Sequence, residues 1–147
     1  NPTTFIKYNN NNNDWHYTGS SSTDNTRWTT SDKSKSIYDP CPSGWRVPDG
    51  GDNGIWLKAG FDDTTYDSTN EGISFSISSP SKTWYPASGS RYGYDGGLYD
   101  VGGGGYCWSA SPDFTYAYLL GFYSTGGVIP SGSDYRASGL SVRCLQE

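Results

Sequence analysis

The sequence has no methionine, one histidine and two glutamates, and its aliphatic side chains are sparse. It holds no apolar run of the length that a membrane-spanning helix needs, so we expect no membrane span. Few aliphatic residues also argue against a helical bundle and against a parallel sheet with continuous runs of Val, Ile and Leu. Because a chain without methionine is not a primary translation product, we expect it to be the C-terminal part of a longer protein.

Basic residues are in the minority: 10 Lys and Arg stand against 15 Asp and Glu, for a formal net charge of -5. An acidic chain without a basic cluster is a poor binder of phosphate backbones, so we expect no nucleic-acid partner. The cysteines Cys41, Cys107 and Cys144 fit no zinc spacing, and we expect neither a metal nor a cofactor. Their number allows one disulfide with one free thiol, or three free thiols.

The sequence offers little for catalysis. The single histidine, His16, lies in a polar N-terminal segment, and Cys41 stands between two prolines with no histidine nearby, so neither favours a nucleophilic mechanism. The acidic residues leave a carboxylate pair for glycoside hydrolysis open, although Asp62 and Asp63 are typical of a solvated loop. We therefore expect no catalytic residues and no enzymatic activity.

Residues 49–54 resemble half of a calcium-binding loop. The third position of that pattern is held by Gly51 and the twelfth by Gly60, where acidic or amide side chains are required. We interpret the segment as a turn that leads into a helix.

Aromatic residues and glycine dominate what is present, with 13 Tyr, 6 Trp, 20 Gly and 8 Pro in 147 residues. This composition predicts one loop-rich domain with short strands and an aromatic core. The polar segment 1–38 is expected to form an ordered N-terminal arm, because Trp15, Tyr17 and Trp28 would dock on the body.

A few segments carry clear secondary-structure signals. Asn53 as N-cap and Gly60 as C-terminal stop predict one short helix between them. Alternating Ile, Phe and Ser at 73–77 predict a strand that forms a hairpin with Lys82–Ala87, turning at Ser79–Pro80. Residues 89–105 are expected to form a long loop, and three more strands are predicted at 106–111, 117–124 and 139–145.

Three motifs carry a family resemblance. Asp-Pro-Cys-Pro-Ser-Gly-Trp-Arg-Val-Pro at 39–48, Tyr-Cys-Trp-Ser-Ala-Ser at 106–111 and Gly-Leu-Ser-Val-Arg-Cys at 139–144 resemble the FISUMP-type major paralogous domain of surface proteins. Residues 1–6 and 14–15 are similar to the lead-in of that domain in fimbrial tip proteins of gut bacteria.

This resemblance implies an α+β, C-type-lectin-like fold with short antiparallel strands, little helix and long loops. It also implies a disulfide between Cys41 and Cys144, while Cys107 has no counterpart and would stay unpaired. The Glu-Pro-Asn, Gln-Pro-Asp and Trp-Asn-Asp motifs of calcium-dependent lectins are missing, so the resemblance does not carry sugar binding with it.

The C-terminal quarter, residues 106–143, has an unusual composition. Between Ser109 and Val142 there is no Lys, Glu, Gln, Met, Trp, Asn, His or Cys. The stretch resembles the variable C-terminus of proteins diversified by retroelements, which implies a binding surface built on a constant frame. Alternation places Leu119, Gly121 and Tyr123 on an outward face, with Leu120 and Phe122 packing inward.

Tyr, Ser, Gly and Asp are the residues typical of antibody-like binding surfaces. The candidate ligand-binding residues are Tyr106, Cys107, Ala110, Asp113, Phe114, Thr115, Tyr116, Leu119, Gly121, Tyr123, Thr125, Gly126, Ile129, Ser131, Gly132, Ser133, Asp134, Tyr135 and Ser138. The alternative interpretation is a plain structural sheet with ordinary exposed tyrosines.

These features together predict an exported ligand-binding or adhesion module on a bacterial surface, at a fimbrial tip or on a lipoprotein, or on a phage virion. Its partner would be a protein or glycan on a host or neighbouring cell, with fimbrial or pilus subunits as further partners. One alternative is a conventional glycan-binding adhesin that stacks sugars on Trp84, Tyr85 and the 88–105 loop. Another is an enzyme of the formylglycine-generating type, which the short chain and the proline-flanked Cys41 disfavour.

Overall fold

The computed structural model describes residues 4–7, 14, 24–29, 32–59, 65–78 and 81–147, which form mostly short antiparallel strands with little helix. The helical elements are a 3-10 turn at Gly51–Asn53 and helix α1 at Ile55–Ala59. The strands are β1 Trp45–Arg46, β2 Tyr66–Asp67, β3 Gly72–Ser78, β4 Ser81–Pro86, β5 Ser90–Arg91, β6 Leu98–Tyr99, β7 Gly104–Asp113, β8 Tyr116–Tyr123, β9 Val128–Tyr135, β10 Ser141–Val142 and β11 Leu145–Gln146.

The largest sheet has the strand order β10-β7-β8-β9. Strands β7, β8 and β9 are antiparallel neighbours, whereas β10 pairs with β7 in parallel. Strands β2, β3 and β4 form a second, antiparallel sheet, and β1 with β11 and β5 with β6 form two-stranded ribbons. The long β7–β8–β9 meander therefore provides the one extended face of the described chain.

The core lies between the inward face of β8 and the β3–β4 hairpin. Leu120 and Phe122 of β8 pack in one buried cluster with Trp56, Ile73 and Phe75. A Cβ atom at Gly105 would lie 2.1 Å from Cζ of Phe122, so this position of β7 has no room for a side chain. Close backbone packing of this kind explains how a chain poor in aliphatic residues still buries a continuous apolar core.

A disulfide joins Cys41 to Cys144, with 5.7 Å between their Cα atoms, as the family resemblance implied. Beside it, β1 pairs with β11, and Asp39 accepts hydrogen bonds from the backbone N–H groups of Cys41 and Val47. A cross-link over 103 residues stabilises the fold by roughly 4–5 kcal/mol in the chain-entropy model. Cys107 is free and buried, in agreement with its expected unpaired state.

The helix and the first hairpin are confirmed. Helix α1 lies inside the predicted segment, but Gly54 precedes it where Asn53 was predicted as N-cap, because a 3-10 turn occupies Gly51–Asn53. Strands β3 and β4 pair antiparallel as predicted, while the turn at Ser79–Pro80 and the stop at Gly60 lie outside the described residues. No helix in the described ranges is long and apolar enough to cross a membrane.

Strand β9 and the β5–β6 ribbon differ from the prediction. The sequence predicted a loop at 89–105, yet Ser90–Arg91 and Leu98–Tyr99 pair within it. No strand was predicted for the segment 128–135, which holds Pro130. It is an edge strand in which Pro130 and Ser131 bulge opposite Leu120, and a proline is tolerated at such a position.

The described parts of the N-terminal arm contact the body of the domain. The Arg91 guanidinium lies 5.7 Å from the centre of the Phe5 ring, and Arg136 donates a hydrogen bond to the carbonyl of Asp24. Trp15, His16 and Tyr17 lie outside the described residues.

Candidate ligand-binding surface

The outward face of the β7–β8–β9 meander carries most of the candidate residues. Alternation along β8 turns Leu120 and Phe122 inward, where they are 0% and 1% exposed, as predicted. Tyr123, on the opposite face, is exposed. On β7, Tyr106 is half-buried, while its neighbour Cys107 faces the core. The sheet thus separates a frame from an outward surface, although several side chains depart from the prediction, as described below.

A concave pocket of about 260 Å³ opens on this face. We call it the sheet pocket. Its lining residues are Tyr106, Leu119, Gly121, Tyr123, Ile129, Gly132, Ser133 and Asp134 from the meander, with Ser90 and Leu140 from outside it. Eight of these ten residues belong to the candidate set that the sequence singled out. The structure therefore brings together, in one pocket, side chains that lie up to 28 positions apart in the meander.

Leu119 forms the floor of the sheet pocket. A Cβ atom at Gly132 would lie 3.2 Å from Leu119 Cδ1 and 3.2 Å from Ile129 Cγ2, and one at Gly121 would lie 3.3 Å from Leu119 Cδ1. The two glycines thus leave the space into which Leu119 packs. An apolar floor with a more polar rim is typical of a pocket that receives an apolar group.

Two tyrosines stand at one side of the sheet pocket. The rings of Tyr106 and Tyr123 meet edge to face, with 5.8 Å between their centroids. The Tyr106 hydroxyl donates to Oδ2 of Asp100 at 2.6 Å. Burial, together with the hydrogen bonds to Asp100 and Tyr123, raises the pKa of Tyr106 far above its usual range, so this phenol stays protonated.

The tip of the β7–β8 hairpin carries a second group of candidate residues. Asp113 pairs with Tyr116 across a two-residue turn, and Phe114 in that turn is 89% exposed with φ of +50°. Tyr116 stacks on Tyr135 of β9, with 5.1 Å between ring centroids. The hydrogen bond and the electrostatic interaction with Tyr135, followed by desolvation, raise the pKa of Tyr116.

Arg136 holds the hairpin tip in place. Its Nε donates to the carbonyl of Tyr116 at 2.9 Å, and Nη2 donates to the carbonyl of Phe114 at 2.8 Å and to Oδ1 of Asn25 at 2.6 Å. One partly buried guanidinium therefore ties the hairpin tip to the N-terminal arm. This fixed backbone geometry reduces the freedom that the hairpin tip would lose on binding.

Ala110 and Ser138 belong to a different cavity, of about 140 Å³, between the N-terminal arm and the sheet. We call it the arm pocket. Its lining residues are Asp14, Asp24, Asn25, Arg27, Trp28, Trp108, Ser109, Ala110, Ser111, Pro112, Ala117, Arg136 and Ser138. The candidate set thus spreads over two pockets and the hairpin tip.

Four candidate residues are buried, so their predicted outward exposure is wrong. Cys107 packs in the core opposite Leu120, because alternation along β7 turns it inward when Tyr106 faces out. Leu119 faces outward as predicted but is only 6% exposed, because residues of β7 and β9 close around it. Gly121 is buried next to Leu119, and Ser138 is buried at the wall of the arm pocket.

Of the remaining candidates, three lie outside both pockets, the core and the group at the hairpin tip. Thr125 and Gly126 are exposed in the β8–β9 turn, at the end of the meander opposite to the hairpin tip, and Ser131 is half-buried in the bulge of β9. Conversely, sequence reasoning missed Ser90, Leu140 and Asp100. Ser90 and Leu140 reach the sheet pocket through long-range pairing, whereas Asp100 does not line it but accepts the hydrogen bond of Tyr106. No local pattern marks any of the three.

The stacking site of the alternative glycan-binding interpretation is not formed at Tyr85. This side chain is buried in the core, stacks on Phe75 and receives a hydrogen bond from Nε1 of Trp56.

No protein-family model, curated protein or solved structure matches the chain.

Proposed function

We propose that this chain is an exported ligand-binding or adhesion module of C-type-lectin-like fold. It would present the outward face of the β7–β8–β9 meander to a macromolecular partner. The observation that carries this proposal is the sheet pocket, in which eight of ten lining residues come from the set that composition, strand alternation and the resemblance to diversified proteins singled out. The concave shape of this face and its apolar floor favour a binding role over a plain structural sheet.

The physical basis of binding would be a few fixed aromatic anchors around an apolar depression. Tyr123 and Ile129 are exposed at the sheet pocket, and Phe114 projects from the hairpin tip. Tyrosine buries a large area at a small entropy cost, and an apolar side chain of the partner would occupy the floor formed by Leu119. The disulfide and the contacts of Arg136 order this surface before the partner arrives.

We further propose that the surface is diversified by a retroelement. Side chains at the pocket rim and the hairpin tip are replaceable without altering the core, whereas Cys107 and Leu119 are not. The setting would be extracellular, at a fimbrial tip or on a lipoprotein of a bacterial surface, or on a phage virion. A disulfide fits such an oxidising location.

Diversification is tested in the encoding DNA. The expected finding is a near-copy of the segment for residues 106–143, close to a reverse transcriptase gene, with differences concentrated at template adenines. A complete genome that holds no such copy would contradict diversification while leaving the binding surface itself untouched.

Binding through the sheet pocket is tested by flow cytometry on intact epithelial cells and on neighbouring bacteria, with the fluorescently labelled domain. The double variant Tyr123→Ser/Ile129→Ser should lose at least about tenfold in affinity, as expected for removed anchor residues. Ile37→Ser/Tyr38→Ser is the matched control, since it removes the same residue types from an exposed site outside both pockets. Equal loss in both variants, or in neither, would contradict the proposal. Protease treatment of the cells then separates protein from glycan partners.

A further inference from the structure

The arm pocket holds polar groups whose bonding capacity the protein itself leaves unused. Ser138 lines this pocket and is 6% exposed, yet its Oγ has no hydrogen-bond partner in the described part of the chain. A buried hydroxyl without a partner costs free energy and is rare in folded proteins. Such a group calls for a further polar atom inside the cavity.

Arg136 lines the same cavity, and its guanidinium also has a hydrogen-bond donor without an acceptor among the described residues. Four of its five N–H groups donate to Tyr116, Asp24, Asn25 and Phe114. One N–H on Nη1 has no acceptor among the residues that the structure describes. An oxygen-rich ligand could accept from this group and also bond to the Ser138 hydroxyl.

The charges around the cavity are balanced. Asp14 and Asp24 face Arg27 and Arg136, and Arg27 lies 3.6 Å from Asp24 in an ion pair. An anionic ligand would meet the two carboxylates, and a cationic one would meet the two guanidinium groups. The pocket therefore favours a neutral polar ligand over an ion.

Trp28 and Trp108 also line the cavity and supply apolar surface. A ligand that is polar at its edge, apolar on its face and neutral overall fits this combination. Sugar rings have this character, with hydroxyl groups around the ring and C–H groups that pack on indole. The volume of about 140 Å³ suits a single ring.

We propose that the arm pocket binds one neutral sugar residue, with its C–H face against the indoles of Trp28 and Trp108 and its hydroxyl groups bonded to Ser138 and Arg136. This site is separate from the sheet pocket, and Trp84 and Tyr85 take no part in it. It does not rest on the proposed function, because the residues at its centre are not those that line the sheet pocket.

The test is a titration of the ¹⁵N-labelled domain with methyl glycosides of glucose, galactose, mannose, fucose and N-acetylglucosamine, each to about 50 mM. At least one glycoside should shift the indole N–H signals of Trp28 and Trp108 in a saturable way. A dissociation constant on the order of 1 mM is expected for a ligand of this size.

Three variants localise the effect. Ser138→Ala should weaken binding about fivefold through the lost hydrogen bond, and Ala110→Leu should abolish it by filling the cavity. Tyr123→Ser, in the sheet pocket, should leave the affinity unchanged. Amide spectra of each variant establish that it is folded.

Ser138→Ala has a second readout, because it removes a hydroxyl that lacks a partner. Its thermal midpoint in the absence of sugar should be equal to or above that of the parent, while its sugar affinity falls. No saturable shift with any glycoside, or a shift that persists in both Ser138→Ala and Ala110→Leu, would overturn the proposal. Loss of cell binding in the sheet-pocket variant alone bears only on the proposed function.

Discussion

The carbonyl oxygen of Phe114 accepts a hydrogen bond from Nη2 of Arg136 at 2.8 Å, while the Phe114 side chain projects into solvent. Phe114 has φ of +50°, a left-handed conformation that is unfavourable for a residue with a Cβ atom. Strain of this kind persists where the surroundings impose it, and it is common at functional sites. An exposed aromatic residue held in a strained turn by a partly buried arginine fits a role in contact with a partner.

Replacing Phe114 by glycine should therefore stabilise the domain. Glycine adopts positive φ at no steric cost, so the free energy of unfolding should rise by about 0.5–1 kcal/mol in urea titrations. Thr115→Gly is the matched control, because Thr115 lies in the same turn without a positive φ. It should lower the free energy of unfolding, and a similar loss in Phe114→Gly would show that the turn is not strained.

Arg136→Lys should destabilise the domain although the charge is kept. Lysine cannot reproduce the fork that joins the carbonyls of Tyr116 and Phe114 to the arm, and we expect a loss of about 2–3 kcal/mol in urea unfolding. Arg143→Lys serves as control, because Arg143 is exposed and contacts the Tyr85 ring at 5.3 Å. Its effect should stay below about 1 kcal/mol. Equal effects at the two positions would contradict the anchoring role of Arg136.

Leu119 and Tyr123 lie on the same face of β8 but should respond differently to truncation. Leu119→Ala leaves a cavity beneath the sheet pocket and should cost about 2–4 kcal/mol of unfolding free energy. Tyr123→Ala removes an exposed ring and should cost less than about 1 kcal/mol. Chemical denaturation of both variants measures the difference. If Leu119→Ala were as mild as Tyr123→Ala, Leu119 would not be the floor of the pocket.

Cys107 should be inert in the native domain. Burial raises the pKa of its thiol to about 12, so at pH 8 the reactive thiolate is roughly a thousandfold rarer than for an ordinary cysteine with pKa 9.0. Ellman's reagent should label no thiol in the folded protein and one thiol per chain after denaturation without reductant. Rapid labelling of the native protein would contradict the buried placement.

The same thiol gives stability an alkaline dependence. Below the unfolded-state pKa near 9 the thiol is protonated in both states and contributes no pH dependence. As the pH rises from 9 towards 12, only the unfolded chain loses the proton, and this lowers the free energy of unfolding. In Cys107→Ala this part of the alkaline decline in unfolding free energy should be missing. If the variant and the parent declined identically, the decline would come from the tyrosines and not from Cys107.

Local patterns predicted helix α1, the β3–β4 hairpin and the inward packing of Leu120 and Phe122, because each depends on residues close in sequence. Strand β9 could not be predicted in this way. Its pairing with β8 overrides Pro130 and a glycine-rich context, and only the finished sheet makes the position an edge. Sequence periodicity therefore identified the elements that depend on neighbouring residues. It failed for strand β9, which forms only because it pairs with β8 in the folded sheet.

For the site, alternation predicted the direction of side chains but not their depth. Leu119 does point to the outward face, yet residues from two other strands cover it. The inclusion of Ser90 and Leu140 in the sheet pocket depends on contacts across about 50 residues, such as the bridge from Arg91 to Gly139. Composition identified the region, and long-range packing shaped it into pockets.

The bridge between Cys41 and Cys144 encloses the whole meander, whose strands run from Gly104 to Tyr135. Tension that reaches the domain through the chain outside this loop passes from one cysteine to the other over a distance of 5.7 Å between Cα atoms. Tension between the two chain ends therefore bypasses the backbone between the cysteines, apart from what the arm transmits through its contacts with Arg91 and Arg136. The contact surface therefore cannot be unravelled by pulling on the two chain ends, even when the arm is detached from the body.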